Sequence, residues 1–331
     1  MQMSKVSGDP AAATSDADHV MVLRCTTCHG GLVKAAANLI CQQCADHFDF
    51  TNGVADFSGG TYYDQFGGPE TLSPQEHLGL ENENAGVTAR IQGFYLPMIR
   101  ALASNESDTR PVRVLDSGCG NGLSVDLLRR HHMEAWGNDI SALRKWQWQT
   151  RACRAHLVVA PSQSLPFPDR YFDAVLSSGV LEHIGVAEQG GGNYAVRPLP
   201  GRDEARVSFL RELARVLRPD GMLFLDFPNG AFPIDFWHGN VPGAARFHSL
   251  REGFLPTVRE IRAYFRELGH FQVQPLSPAG RLRMRQVGSH WYGRLARLPM
   301  ALYLNVMKLD QTGWLAASAL NPYLVLRVTR R

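Results

Sequence analysis

Residues 113–122 are Arg-Val-Leu-Asp-Ser-Gly-Cys-Gly-Asn-Gly, and this stretch decides the fold of the 331-residue chain. Its apolar start predicts a buried strand, and its three glycines predict a tight turn. Apolar residues then recur with helical periodicity over residues 123–130. A strand, a glycine turn and a helix in this order predict the opening unit of a doubly wound α/β sheet.

The glycine turn indicates a ligand site. Gly118 and Gly120 let the backbone approach a bound molecule closely, and the free amides of the following helix favour an anionic group. Asp116, at the end of the strand, can attract a cationic group. A nicotinamide-dinucleotide fingerprint would have Gly or Ala where this chain has Leu123, so the turn departs from that class.

Further strand patterns extend the predicted sheet beyond this unit. The segment 135–139 ends in Asp139, seventeen residues after Gly122, and one carboxylate can accept hydrogen bonds from both hydroxyls of a ribose. Helical periodicity follows at 257–269. The remaining predicted strands are 156–160, 172–178, 222–227, one near Phe271, and 321–329.

Four motifs in order resemble those of the class I S-adenosylmethionine-dependent methyltransferases, specifically the small-molecule type 11 family. They are VLDSGCGNG (114–122), GNDIS (137–141), SLPFPDRYFDAVLSSGVLEHI (164–184) and LARVLRPDGMLFLDFPN (213–229). The resemblance spans about residues 112–229. It implies a seven-stranded Rossmann-like sheet and S-adenosylmethionine as the cofactor.

The resemblance also implies which residues surround that cofactor. The family usually has Asp where this chain has Pro161, so recognition of the adenine would rest on the next two residues or on main chain. The implied set is Asp116, Gly118 and Gly120 at the methionine end, Asp139 and Ile140 at the ribose and adenine, Ser162 and Gln163 at the adenine edge, and Ser178 beneath the sulfonium.

Methylation of a hydroxyl also needs a group that removes its proton. His183 follows the fourth strand, beside the crevice where open α/β sheets bind ligands, and it is the first candidate base, with a structural role as the alternative. His238 and His248 follow the fifth strand and are further candidates. Small-RNA 2′-O-methyltransferases have a Mg²⁺-binding Glu-x-x-Glu-His set here, and Gly179 replaces its first Glu, which argues against a metal-dependent mechanism.

Four of the six cysteines form the pairs Cys25-x-x-Cys28 and Cys41-x-x-Cys44. Two such pairs can complete a tetrahedron of thiolates around Zn²⁺, and four ligands leave no open position, so the spacing predicts a structural zinc site. A redox dithiol would need only one pair, beside a βαβ unit. Residues 22–57 resemble the zinc ribbon of the activator subunit of tRNA and protein methyltransferases.

Charge is unevenly distributed along the chain. Residues 281–331 hold nine Lys or Arg and one acidic residue, whereas the rest of the chain sums to −5 against a total of +3. The basic, aromatic insertion at 281–320 is expected to form a cap on the cleft or an interfacial surface near anionic lipid. The glycine-rich insert at 185–202 is expected to be a mobile loop over the cleft.

These patterns together predict the domain organisation. Residues 1–19 lack the apolar stretch of a secretory signal, and no uninterrupted apolar run reaches about 18 residues, so we expect a cytoplasmic protein, peripheral at most at the inner membrane surface. The predicted segments are a disordered N-terminus at 1–20, a zinc ribbon at 21–58, a linker and N-terminal helix at 59–110, and a methyltransferase domain at 111–331.

The leading prediction for the function is methyl transfer from S-adenosylmethionine to a hydroxyl of a small organic, glycan or lipid-linked metabolite. The first alternative is an RNA base methyltransferase that uses the ribbon and the basic C-terminal segment to bind phosphates. The second is an inactive, cofactor-binding adaptor of another methyltransferase. The sequence leaves the oligomeric state open.

Overall fold

The computed structural model describes residues 20–63, 83–104, 110–189, 195–238, 245–281 and 291–331. Most of the predicted N-terminal segment 1–20 therefore lies outside the described residues. The strands are β1 Leu32–Ala35, β2 Asn38–Cys41, β3 His47–Thr51, β4 Val54–Asp56, β5 Arg113–Ser117, β6 Glu134–Asp139, β7 Leu157–Val159, β8 Phe172–Ser178, β9 Val186–Gln189, β10 Ala195–Pro198, β11 Leu217–Pro228, β12 Ile234–Asp235, β13 Arg246–Phe247, β14 Phe271–Leu276 and β15 Tyr323–Arg330.

Helices flank these strands. The α-helices are α1 83–90, which runs through a π-helical turn at Ile91–Tyr95 into α2 Leu96–Arg100, then α3 Leu123–Arg130, α4 Ala142–Gln147, α5 Arg202–Val216, α6 Val258–Leu268 and α7 Trp291–Val306. Short 3₁₀ helices occur at Ala101–Ser104, Trp148–Thr150, Arg154–His156, Leu181–His183 and Gly313–Ala317.

Seven strands form the predicted doubly wound sheet, in the order β7-β6-β5-β8-β11-β15-β14. Pairing is parallel from β7 to β11, and β15 is antiparallel to both of its neighbours. Strand β5 is central, and its Leu115 pairs with Trp136 on one side and Val175 on the other. Since helices cover both faces, such strands are apolar throughout rather than alternating. The predicted fold class is confirmed.

The ribbon extends this sheet at its β7 edge. Strand β4 runs parallel to β7 with Ala55 opposite Val158, and the Phe57 amide donates to the Val159 carbonyl at 2.7 Å. Strands β1 to β4 pair antiparallel in sequence order. The result is one eleven-stranded sheet, so the ribbon covers an edge that would otherwise present unpaired backbone groups.

The four ribbon cysteines come together as their spacing predicts. The Cys28 sulfur lies 3.4 Å from those of Cys41 and Cys44, and the Cys25 sulfur lies 3.6 Å from that of Cys44. Zn–S bonds of about 2.3 Å would set tetrahedral sulfurs about 3.8 Å apart. The thiols therefore already stand close to the separation that a tetrahedral ion requires.

Side chains also join the ribbon to the rest of the molecule. Phe57 is buried in the same apolar core as Trp136 and Phe167. Lys145 of α4 forms ion pairs with Asp56 at 2.7 Å and with Asp49 at 3.2 Å. The ribbon and the α/β sheet thus share a core as well as backbone hydrogen bonds.

The insert at 185–202 contains a β-hairpin, so the expectation of a loop without local structure was wrong for its ends. Strands β9 and β10 pair antiparallel, with Val186 opposite Pro198 and Gln189 opposite Ala195. The clustered glycines, 190–192, lie between the two strands in sequence. They therefore do not interrupt the strand-forming segments on either side.

The insertion at 281–320 contains α7 and the 3₁₀ helix Gly313–Ala317. One face of α7 packs through Leu304 against Ala279 and Leu315. Its outward face carries exposed leucines, 295, 298 and 302. Among the described residues, no helix is long and apolar enough to cross a membrane.

We expect Phe57→Ala to destabilise the whole sheet, because Phe57 is 6% exposed and its burial joins ribbon and core. Truncation of a buried Phe costs about 3–5 kcal/mol. All six tryptophans lie outside residues 21–58, so tryptophan fluorescence during urea unfolding reports on the α/β part alone. Its midpoint should fall in this variant and stay unchanged in the control Phe247→Ala, whose ring is 83% exposed. An unchanged midpoint in Phe57→Ala would show that the two parts unfold independently.

Candidate cofactor and acceptor site

The glycine turn after β5 has a conformation that only glycine adopts readily. Gly118, Gly120 and Gly122 have φ angles of +80°, +55° and +78°, which L side chains rarely adopt. A Cβ on Gly118 would lie 2.2 Å from a methyl carbon of Val180. The Gly118 amide donates to the Asn138 carbonyl at 2.8 Å, so the turn is held against β6.

Asp116 lies at the end of β5 with one carboxylate oxygen unsatisfied. The side chain is fully buried, and among the described residues Oδ1 has no hydrogen-bond partner. The nearest cation is Arg90 of α1, whose Nη2 is 3.4 Å from Oδ2. Burial raises the pKa of Asp116 above its ordinary value. A buried carboxylate with spare acceptor capacity fits a cationic ligand group, such as the ammonium of the expected cofactor.

Asp139, at the end of β6, holds three backbone amides. Its Oδ2 accepts from the Gly120 amide at 2.9 Å, and its Oδ1 accepts from Ile140 and Ser141 at 2.8 and 3.2 Å. Burial raises the pKa of this carboxyl, against the lowering effect of these donors. A carboxylate has about four acceptor sites, and these three bonds leave room for about one of the two predicted ribose contacts. Asp139 therefore fixes the glycine turn to the end of the next strand.

The two residues predicted at the adenine edge differ in position. The Ser162 hydroxyl is buried and accepts from Ser117 at 2.9 Å and from Asn138 at 3.0 Å. Gln163 is exposed. Ser162 therefore bonds to the ends of β5 and β6, whereas Gln163 stands at the open rim.

A buried ion-pair network, which the sequence did not reveal, lies beside Ser178. Asp226 of β11 accepts from Arg281 at 2.6 Å and from Ser178 at 2.5 Å. The Tyr323 hydroxyl donates to the same carboxylate at 2.6 Å, and Tyr95 donates to its other oxygen. Although burial opposes ionisation, Arg281 holds the pKa of Asp226 below its ordinary value. The one available signal was a carboxylate inside the apolar run LFLDF, since buried acids need cationic partners.

Arg281, the first residue of the basic insertion, belongs to this buried network. Its guanidinium is largely buried at 13% side-chain exposure and pairs with Asp226. It also donates to the Ser178 hydroxyl at 2.8 Å. The first residue of the basic segment is thus part of the cleft, because Asp226 would otherwise be an unpaired buried charge.

His183 and His238 come together at the carboxyl edge of the sheet, with ring centroids 5.3 Å apart. Nδ1 of His183 lies 2.6 Å from Glu188, and Nδ1 of His238 lies 2.9 Å from Asp235. Burial opposes ionisation of His183, but the bond to Glu188 outweighs it and raises the pKa of the imidazole. Burial likewise opposes ionisation of Asp235, but its hydrogen bond with His238 outweighs burial and lowers the pKa of Asp235 to about 2.

Glu182 is the third member of this cluster. The side chain is 1% exposed, and Oε2 has no hydrogen-bond partner among the described residues. Its carboxylate oxygen and one nitrogen from each of His183 and His238 lie within 4.8 Å of one another. Burial raises the pKa of Glu182. We call these three residues the acceptor cluster.

His248, the third candidate base, lies outside the acceptor cluster. Its Nε2 is 2.6 Å from the Phe232 carbonyl, and its Nδ1 is 4.0 Å from Glu252. The ring therefore anchors the loop after β11 to its own backbone. This placement gives His248 a structural contact rather than a position beside His183.

Tyr63 links the cofactor side of the cleft to the acceptor cluster. Its amide donates to the Ile140 carbonyl at 3.1 Å, and its hydroxyl donates to Glu188 at 3.0 Å. Glu188 in turn bonds His183. The chain thus reaches the site directly after the ribbon, and no sequence motif indicated this contact.

Comparison with known proteins agrees with this geometry. Residues 115–225 match the family model described as a methyltransferase domain. The chain is 27% identical over 180 residues to the O-methyltransferase rstn1 of Aspergillus nomiae, covering 52% of this chain and 70% of that one. It is 31% identical over 116 residues to a "probable S-adenosylmethionine-dependent methyltransferase" of Mycobacterium tuberculosis, covering 35% of each.

A mouse protein named "probable tRNA methyltransferase 9B" is 30% identical over 112 residues, which is 34% of this chain and 21% of the relative. The chain thus spans about a third or less of the mycobacterial and mouse relatives. The matched range of the family model runs from β5 to β11. On this evidence residues 115–225 contain a methyltransferase domain, and the chain is similar to S-adenosylmethionine-dependent methyltransferases.

Proposed function

We propose that the protein transfers a methyl group from S-adenosylmethionine to a hydroxyl of a small organic, glycan or lipid-linked metabolite. The observation that carries the proposal is the pair His183 and His238, whose rings lie 5.3 Å apart and are each bonded through Nδ1 to a carboxylate. Transfer to a hydroxyl requires loss of a proton, and imidazoles serve that step. Acceptors that are already nucleophilic would not need such a pair.

The cofactor-binding residues in this proposal are those at the ends of β5 and β6. Asp116 would hold the ammonium, Gly118 and Gly120 would let the methionyl part lie on the backbone, and Asp139 would accept from the ribose. When bound, the sulfonium supplies a methyl carbon that is already activated. The protein's own task is then alignment of the acceptor and removal of its proton.

Two imidazoles can promote loss of a hydroxyl proton by accepting it or by holding a cation that acidifies the hydroxyl. Both ways need His183 and His238 at the acceptor. The short helix Leu181–His183 and the loop after β11 bring them there from the carboxyl ends of two parallel strands. That edge is where ligands of open α/β sheets bind.

The apolar or lipid-linked class of acceptor is supported by α7. Three exposed leucines, 295, 298 and 302, lie on its outward face. The helix packs through Leu304 against Ala279, two residues before Arg281, which reaches Ser178. An acceptor with an apolar part would gain contact area there.

We also propose that the four ribbon cysteines bind a structural Zn²⁺. The supporting observation is the 3.4–3.6 Å spacing of their sulfurs. An ion with four protein ligands has no open position for chemistry. Its role in this proposal is to hold the ribbon that covers the β7 edge.

We expect Asp139→Ala to raise the dissociation constant for S-adenosylmethionine at least tenfold. Each hydrogen bond to a charged group is worth about 1.5–3 kcal/mol, and about 1.4 kcal/mol is a tenfold change. Calorimetric titration measures the constant, and Asp220→Ala is the control because that side chain is 76% exposed. If the affinity of Asp139→Ala stayed within about threefold of the wild type, the proposed contact between Asp139 and the ribose would be wrong.

We expect His183→Ala to lower kcat by about 10²–10⁴-fold, the usual contribution of a positioned proton-transfer group, with unchanged affinity for S-adenosylmethionine. Labelled methyl transfer in an acceptor screen measures the rate. His248→Ala serves as the matched control in the neighbouring loop. Wild-type turnover in His183→Ala would refute the assignment, and cofactor binding without turnover on any acceptor would favour the adaptor.

We expect Cys44→Ser to lower bound zinc below the one ion per chain of the wild type, as atomic absorption would measure. The loss of zinc should also lower the melting temperature. A structural zinc ion binds the folded chain and not the unfolded one, so its binding free energy adds to the stability of the fold. Zinc added back to chelated wild-type protein should restore both values. A wild type purified with no zinc and unaffected by chelators would exclude the ribbon ion.

A further inference from the structure

We propose that Glu182, His183 and His238 bind one divalent transition-metal cation, which the acceptor hydroxyl then coordinates. The inference rests on the proposed O-methylation and names the group that acidifies the acceptor. It is separate from the ribbon site, which four cysteines fill. The acceptor cluster holds one carboxylate and two imidazoles, a donor set that leaves coordination positions open for a substrate.

The buried carboxylate of Glu182 is the first argument. Its Oε2 is unsatisfied among the described residues, and the side chain is 1% exposed. An unsatisfied buried carboxylate oxygen costs several kcal/mol or forces protonation. A cation between Glu182 and the two imidazoles would satisfy that oxygen without a change of fold.

The orientation of the two imidazoles is the second argument. Glu188 bonds Nδ1 of His183 at 2.6 Å, and Asp235 bonds Nδ1 of His238 at 2.9 Å. With the proton on Nδ1, His183 has its lone pair on Nε2. Metal-binding histidines almost always donate their other N–H to a carboxylate or carbonyl in this way. Two carboxylate-oriented histidines at one point are therefore more specific than two histidines alone.

The distances allow a cation with small adjustments. The three donor atoms lie within 4.8 Å of one another. Bonds of about 2.0–2.2 Å would bring them to roughly 3–3.5 Å apart. The change is about an ångström and falls on side chains of the short helix Leu181–His183 and of the loop after β12. Asp235, which orients His238, is itself held by amides of Trp237 and His238.

The donor set also indicates which cations would bind. Imidazole suits Zn²⁺, Fe²⁺, Ni²⁺ and Cu²⁺, whereas carboxylate and hydroxyl oxygens suit Mg²⁺, Ca²⁺ and Mn²⁺. A mixed set of two imidazoles and one carboxylate favours ions of intermediate character, such as Mn²⁺ and Fe²⁺. Mn²⁺ has the further advantage that a four-thiolate site has little affinity for it.

A cation here would act as a Lewis acid on the acceptor. The acceptor hydroxyl coordinates the cation, and its proton leaves to water. The resulting oxygen attacks the methyl carbon, the carbon–sulfur bond breaks, and the electron pair of that bond returns to sulfur to give a neutral thioether. The products are one methyl ether, one S-adenosylhomocysteine and one proton, and the cation is unchanged.

The test is titration with Mn²⁺ of protein that holds one zinc ion per chain, the amount that the ribbon alone would bind, with free Mn²⁺ followed by electron paramagnetic resonance. The expected result is one saturable Mn²⁺ per chain in the micromolar range. Glu182→Gln should weaken binding at least tenfold, and Glu188→Gln should weaken it about tenfold through loss of orientation of His183. His248→Ala is the matched control and should bind within about twofold of the wild type.

His238→Ala covers the case in which Glu182→Gln does not fold, and melting curves identify such a variant. The proposal is overturned if the wild type shows no saturable binding at Mn²⁺ concentrations up to about 1 mM, since a dissociation constant of that size corresponds to a binding free energy of about −4 kcal/mol. Equal binding by the wild type, Glu182→Gln and His238→Ala overturns it as well.

The same experiment separates this inference from the proposed function, because it uses neither acceptor nor cofactor. Saturable Mn²⁺ binding that Glu182→Gln abolishes supports the site even if no hydroxyl acceptor is found. If the protein methylates a hydroxyl but binds no Mn²⁺, the proposed cation is ruled out, and His183 remains the candidate base.

Discussion

The desolvation of carboxylates at the carboxyl edge of the sheet is the constraint on which the site depends. Asp116, Asp226 and Glu182 are almost completely buried there, and each needs donors or a cation to remain ionised. The partners that meet this need differ from one residue to the next. Asp226 has Arg281 and two tyrosines, whereas Asp116 and Glu182 each keep one unsatisfied oxygen.

This contrast distinguishes structural acids from acids that fit a ligand. A fully satisfied carboxylate such as Asp226 fixes β11, β15 and the start of the C-terminal insertion to one another. The unsatisfied oxygens of Asp116 and Glu182 instead remain available to a ligand among the described residues. A cationic ligand group at Asp116 and an acceptor at Glu182 would each supply the partner that the protein does not.

The sequence predicted those parts of the molecule that depend on neighbouring residues. The strand, turn and helix at 113–130 and the two cysteine pairs were predicted because their signals are local. Pairing of Asp226 with Arg281, 55 residues later, and of β4 with β7 has no local signal. The approach of His238 to Glu182 and His183 likewise has no local signal, because His238 lies in a separate segment after β12.

The ribbon has a consequence for the site that its fold alone does not indicate. By pairing with β7 it protects a sheet edge, and it also sets where the following residues enter the cleft. Tyr63 there bonds the Ile140 carbonyl and the Glu188 carboxylate. Because Glu188 orients His183, a displaced ribbon would alter the acceptor cluster through Tyr63. The segment that carries the four cysteines is thus linked to the orientation of His183 through the hydrogen bonds between Tyr63, Glu188 and His183.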